Sequence, residues 1–158
     1  MLKEKLKNYN IILGSKSPRR RELLTELELD FKIKTSEKKE SYPKNLRNIE
    51  IAKFIAQQKA KFISSSLSKN YLLITADTIV IKDEKIIHKP KNQDEGIKIL
   101  NQLSGRTHQV ITGVCIKSNT KEVVFASSTE VSFNKLSNNE IIYYLKKYKP
   151  FDKAGCYG

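Results

Sequence analysis

Eight consecutive residues, Gly14-Ser15-Lys16-Ser17-Pro18-Arg19-Arg20-Arg21, concentrate groups that bind oxyanions. Ser17 is a good helix N-cap and Pro18 suits the first helical position, so Arg19, Arg20 and Arg21 fall in a first helical turn. The positive end of a helix dipole makes a cation there unfavourable, by about 0.3–1 kcal/mol at an exposed site. An anion docked at that terminus reverses the sign. Backbone N–H groups, the Ser15 and Ser17 hydroxyls and guanidinium forks together form a plausible cradle for a polyphosphate. The competing reading turns the arginines to solvent, paired with Glu22 or Glu26. The pattern G-x-x-x-x-G-K-[ST] occurs nowhere, so this is no Walker A loop. Ser15 and Ser17 have no evident His/Asp pairing, which argues against a hydrolase triad.

Asp77 is the second chemical signal. It interrupts Leu72-Leu73-Ile74-Thr75-Ala76-Asp77-Thr78-Ile79-Val80-Ile81, where a buried carboxylate is costly without a cation or donor. At the end of a central strand it could hold a divalent metal or act as a general base. A bulge that puts it in water, or an ion pair with a lysine, explains it equally simply. Lys59, four residues after Ile55 and three before Phe62, falls on an apolar helical stripe, and snorkelling is the ordinary reading. Lys89 precedes Pro90, as an extended loop residue commonly does. His88 and His108 read as incidental polar residues rather than ligands.

The elements that must position these groups follow from periodicity. Asn10 to Leu13 is a short apolar run ending at Gly14, hence a buried strand. In the helix that follows, Leu23, Leu24 and Leu27 recur on one face. Phe31 to Lys34 alternates as a second strand, and residues 35 to 47 are a polar loop. Asn48 to Leu67 is helical, with Ile51, Phe54, Ile55, Phe62 and Ile63 on one stripe. Tyr71 to Ile81 is a central strand, Asp83-Glu84 a turn, and Ile86-Ile87 a short strand. Asn92 and Glu95 cap a helix through Leu103, ended by Gly105. Residues 107 to 117 and 122 to 133 pair around Ser118-Asn119-Thr120. Ser137 and Glu140 form a capping box for a last helix that stops near Tyr148, before Pro150. Strands alternate first with helices and a hairpin comes later, which predicts an α/β fold: a mixed twisted sheet flanked by helices.

Composition bounds the function class. At 158 residues and 39% hydrophobic, the chain suits one compact domain with a sizeable core. Thirty Lys and Arg against 17 Asp and Glu leave +13, which favours polyanionic partners or simply a solvated surface. No run approaches the roughly 18 apolar residues of a membrane helix, and no apolar signal segment follows the N-terminus. Two cysteines, Cys115 and Cys156, are too few for a disulfide framework. The expectation is a cytoplasmic protein with no membrane partner. Nucleic acid is a poor partner, because no recognition motif or aromatic-basic interleaving occurs.

Taken in order, the motifs are similar to those of the Maf family, the septum formation inhibitor proteins, which are nucleoside triphosphate pyrophosphatases. The resemblance rests on Ser15-x-Ser17-Pro18-Arg19-Arg20-Arg21-Glu22-Leu23-Leu24, Ala76-Asp77-Thr78 and Lys89-Pro90. It continues through Leu103-Ser104-Gly105-Arg106-Thr107-His108, Thr112-Gly113-Val114 and Asp152-Lys153-Ala154-Gly155. It implies the elongated α/β architecture shared with inosine triphosphate pyrophosphatases, often dimeric. The implied activity is hydrolysis of dTTP or UTP to the monophosphate and pyrophosphate, with Mg²⁺ or Mn²⁺ as cofactor.

By position, the resemblance makes Asp77 the catalytic carboxylate and a metal ligand, with Glu40 beside it on the metal. Ser15, Ser17, Arg19, Arg20, Lys59 and Lys89 fall on phosphate-binding positions, and Arg19 and Thr78 match the dTTP/UTP subgroup. Lys16 stands where a small residue is usual, and Thr75 replaces a glycine. Gly158 falls inside the family's A-G-x-Y-G-I-Q-G segment. The expectation is therefore a single domain over 1–158 without the usual C-terminal strand and helix. The alternative function is a catalytically impaired nucleotide- or nucleic-acid-binding relative.

Overall fold

A computed structural model describes all residues from Met1 to Gly158. Its strands are β1 (Asn10–Leu13), β2 (Phe31–Ile33), β3 (Tyr71–Lys82), β4 (Lys85–Ile87), β5 (Thr107–Lys117) and β6 (Glu122–Ser132). Its helices are α1 (Leu2–Leu6), α2 (Pro18–Glu26), α3 (Ile49–Ser64), α4 (Gln93–Leu103) and α5 (Asn138–Tyr148), with a short 3-10 turn at Ala154–Cys156. The strands form one sheet in the order β2-β1-β3-β5-β6, with β4 also on β3. β1 runs parallel to β2 and β3, and β3 antiparallel to β4, so the expected mixed sheet is present. α1 was not expected. Its five residues bury nothing and read in sequence as a charged lead-in.

The backbone groups into two compact units, one of residues 1–77 with 112–126, the other of 78–111 with 127–158. In the first, strand alternation sends β1 side chains to two faces. Ile12, with Tyr71 and Leu73, packs on Ala56, Ala60 and Ile63 of α3. Ile11 and Leu13 pack on Leu24 and Leu29. Gly113 lets α3 lie tight against the sheet, for a Cβ there would stand 2.3 Å from the Ala52 carbonyl. On α2 only Leu24 is buried. Leu23 and Leu27 are exposed, contrary to the single apolar face expected, because a helix of nine residues offers the sheet one line of contact.

In the second unit, α4 and α5 pack through Leu100, Ile141, Leu145 and Cys156. The sequence-read caps are made: Asn92 Oδ1 accepts from the Glu95 N–H, and Ser137 and Glu140 bond reciprocally. His108 is buried edge-on to Phe133 and Tyr157, its Nε2 2.6 Å from the Tyr157 hydroxyl. Its Nδ1 has no partner.

Burial, helped by the charge of Lys82, holds the His108 imidazole below its ordinary 6.5. The unfolded chain binds a proton that the fold resists, so this group's contribution to stability is complete above that value. It is lost as pH falls from there through the depressed folded value. Denaturant midpoints measured across that range should decline with falling pH, and His108→Gln should flatten the decline.

Candidate active site

The first unit brings one end of β1, α2, α3 and β3 together around a small set of charges. β1 ends where the Gly14 N–H donates to the Ile74 carbonyl at 2.8 Å. A side chain at Gly14 would collide with Thr75, 2.5 Å from the added Cβ, so only glycine lets the chain leave the sheet here. Ser15, buried, then organises the turn. Its Oγ accepts from the Ser17 N–H at 3.2 Å and from Arg20 Nη1 at 3.3 Å. Ser17 occupies the N-cap position, yet its own side chain makes no capping bond. The hydroxyl that orders the entry to α2 is Ser15's, which corrects the expectation from helix-start statistics alone.

Of the three arginines, Arg19 and Arg21 are exposed and Arg20 is half-buried. Arg20 Nη1 donates 2.8 Å to the Ala76 carbonyl, one residue before Asp77. Burial lowers the Arg20 guanidinium from its usual range, and the charges of Asp77 and Glu40 pull it back up. It stays cationic in either case. Lys16, where a small residue was expected, is exposed and ion-paired to Glu37 at 3.3 Å.

Asp77 is on the face of β3 that meets α3, two residues beyond Thr75 and four beyond Leu73. Lys59 reaches it from α3. Its Nζ lies 2.7 Å from Asp77 Oδ1, 3.3 Å from Glu40 Oε1 and within 3.3 Å of the Ala76 carbonyl. The two side chains of the short pair are 19% and 16% exposed, and that of Glu40 42%. Lys59 is therefore no snorkelling surface lysine but the hub of the constellation. Glu40 comes from the polar loop before α3. The loop is tied down by the Ser41 N–H donating to Gln58 at 3.0 Å and by Lys38 stacked over Phe62. Two cations, Arg20 and Lys59, thus face two carboxylates.

Ser15, Ser17, Arg20, Glu40, Lys59 and Asp77 are brought together. Arg19 lies on the exposed side of the same turn. Thr78 and Lys89 belong to the second unit: Thr78 is half-buried, and Lys89 is exposed after β4, where its charge acts on Asp152. Sequence reasoning missed the Ala76 carbonyl, which accepts from both Arg20 and Lys59. A main-chain acceptor leaves no residue-type signal. It missed Thr75 too, whose fully buried hydroxyl donates 2.7 Å to the Ala56 carbonyl and pins β3 to α3.

Glu40 and Asp77 are the residues able to hold a divalent cation. No cluster of three His, Cys, Asp or Glu side chains exists anywhere in the chain. Two hard oxygen donors still suit Mg²⁺, which is usually bound by one or two carboxylates plus substrate phosphates.

The family described as Maf, Maf-like protein, matches residues 10–158. A dTTP/UTP pyrophosphatase of Flavobacterium johnsoniae is 46% identical over 158 residues, covering 100% of this chain and 81% of its own. One from Parabacteroides distasonis is 48% identical over 156 residues, covering 98% and 81%. The solved Ham1 protein of Staphylococcus aureus shares the fold at 16% identity, with TM-score 0.50 over 78% of this chain and 71% of that one.

The Thr75 bond carries its own test. Thr75→Val keeps the shape and deletes the donor to Ala56, so it should cost about 1 kcal/mol of stability. The denaturant midpoint should fall with no change in m.

Proposed function

The chain belongs to the Maf family, and on that premise we propose that it hydrolyses dTTP and UTP to the monophosphate and pyrophosphate. The observation that carries the reading is the convergence of Asp77, Lys59, Glu40 and Arg20 at one end of the first unit. The names of the relatives supply the substrate class. Arg20 and Lys59 compensate phosphate charge, and Ser15 and Ser17 shape the turn that receives it. Arg20 is held by Ser15 and Ala76 before any ligand arrives, and such preorganised charge is the largest catalytic term in most sites of this kind.

Asp77 is the general base. Its carboxylate takes a proton from the attacking water as the new bond forms between the water oxygen and the α-phosphorus. The bond from that phosphorus to the oxygen bridging the α- and β-phosphates breaks, and pyrophosphate leaves. The protein does little covalent work, so positioning and charge dominate the rate. Mg²⁺ or Mn²⁺, held by Glu40 and Asp77, would add Lewis-acid charge on the phosphate oxygens. The substrate and the two free buried thiols, Cys115 and Cys156, suit a reducing cytoplasm. No helix is long and apolar enough to cross a membrane. A homodimer is the assembly that the family resemblance implies.

Asp77→Asn preserves the shape of the side chain and removes the base. Pyrophosphate release from dTTP, UTP, CTP and GTP, with and without magnesium, is the assay. The variant should lose 10²–10⁴-fold in kcat, the usual cost of removing a general base. The wild type should prefer dTTP and UTP and need the metal. Undiminished turnover in Asp77→Asn would exclude the assigned role.

A further inference from the structure

The place between Glu40 and Asp77 already holds a cation, and that cation is a side chain. Lys59 Nζ contacts Asp77 at 2.7 Å and Glu40 at 3.3 Å, a position between two carboxylates that a metal ion would also seek. We propose that Lys59 is an internal counter-ion that competes with the divalent cation for the Glu40–Asp77 pair. Free metal is thereby disfavoured, and metal enters together with nucleotide. The inference rests on the functional reading above and adds an order of events to it.

The physical reason is charge balance. Glu40 and Asp77 contribute two negative charges, and Lys59 and Arg20 return two positive ones. A divalent ion that approaches alone must overcome the repulsion of both cations and displace an ammonium in hydrogen-bond contact with Asp77. A metal that arrives with a triphosphate brings its own anion, and phosphate oxygens give the displaced ammonium a new partner. Lys59 can make that exchange, because an ammonium on a four-carbon stem reorients easily. Arg20 is the fixed member, tied to the Ala76 carbonyl at 2.8 Å and to Ser15 at 3.3 Å. The two cations are therefore not equivalent: one is scaffold and the other is exchangeable. Metal and nucleotide must then bind with positive coupling, each strengthening the other.

The test is titration of Mn²⁺ into the full chain without nucleotide, followed by the electron paramagnetic resonance of the free ion. Lys59→Met keeps the bulk of the stem and removes the charge. It should bind Mn²⁺ more tightly than wild type by on the order of 10- to 1000-fold, the range over which one neighbouring charge shifts a proton's affinity. Lys59→Arg, which keeps the charge, should stay as weak as wild type. Asp77→Asn added to Lys59→Met should abolish the gain. Lys59→Gln serves as the neutral variant if the methionine does not fold. A neutral variant that binds Mn²⁺ no more tightly than wild type overturns the proposal, as does a gain that survives loss of Asp77. Turnover separates the two layers. Wild type active on dTTP with no gain in the neutral variants sinks the counter-ion and spares the enzyme, whereas a gain in a protein inactive on every nucleotide does the reverse.

Discussion

A carboxylate midway along a largely buried strand needs a cation, and the surroundings of Asp77 are arranged to supply one. At 16% exposure Asp77 has lost most of its water, so the Lys59 ammonium at 2.7 Å replaces solvation as much as it adds attraction. Lys59 reaches that point only because α3 lies hard against the sheet. Gly113 removes the side chain that would hold the helix off, Ala52, Ala56 and Ala60 offer it a thin face, and Thr75 bonds it at Ala56. Small residues along one helix face are what bring a long cationic side chain into register with the acid.

The other half of the constellation comes from the other face of the sheet. α2 packs on β1 through Leu24, and Arg20, one turn earlier, reaches the middle of β3 at the Ala76 carbonyl. The main chain one residue before Asp77 is gripped by two cations. Few of these bonds are strong singly. Together they hold Asp77 between two helices that approach from opposite faces, which a loop could not do with the same precision.

The large positive charge of the chain is mostly a property of its surface. Pairs such as Lys3–Asp30 and Lys16–Glu37 are exposed, and solvent screening leaves pairs of that kind contributing little. The site itself is close to neutral before ligand arrives, with Arg20 and Lys59 set against Glu40 and Asp77. The basic surface can draw in a polyanion.

Local chemistry was legible in the amino-acid order. The Ser137–Glu140 capping box, the Asn92 cap, the strands at 10–13 and 71–82 and the helix at 49–64 follow from periodicity and side-chain reach, which act over a few residues. The serine-arginine turn and the misplaced acid Asp77 were visible for the same reason, and Glu40 only through the resemblance. Other matters were decided in three dimensions. Leu23 and Leu27 stay in water because the sheet meets α2 along Leu24 alone, Ser15 replaces Ser17 as the organiser of the turn, and Lys59 leaves the apolar stripe to bind two acids. The charge cluster depends on groups 18 to 56 positions apart, such as Lys59 with Asp77 and Arg20 with Ala76, and on carbonyls common to every residue. Residue order states which groups exist; only the packing of helix on sheet sets which of them meet.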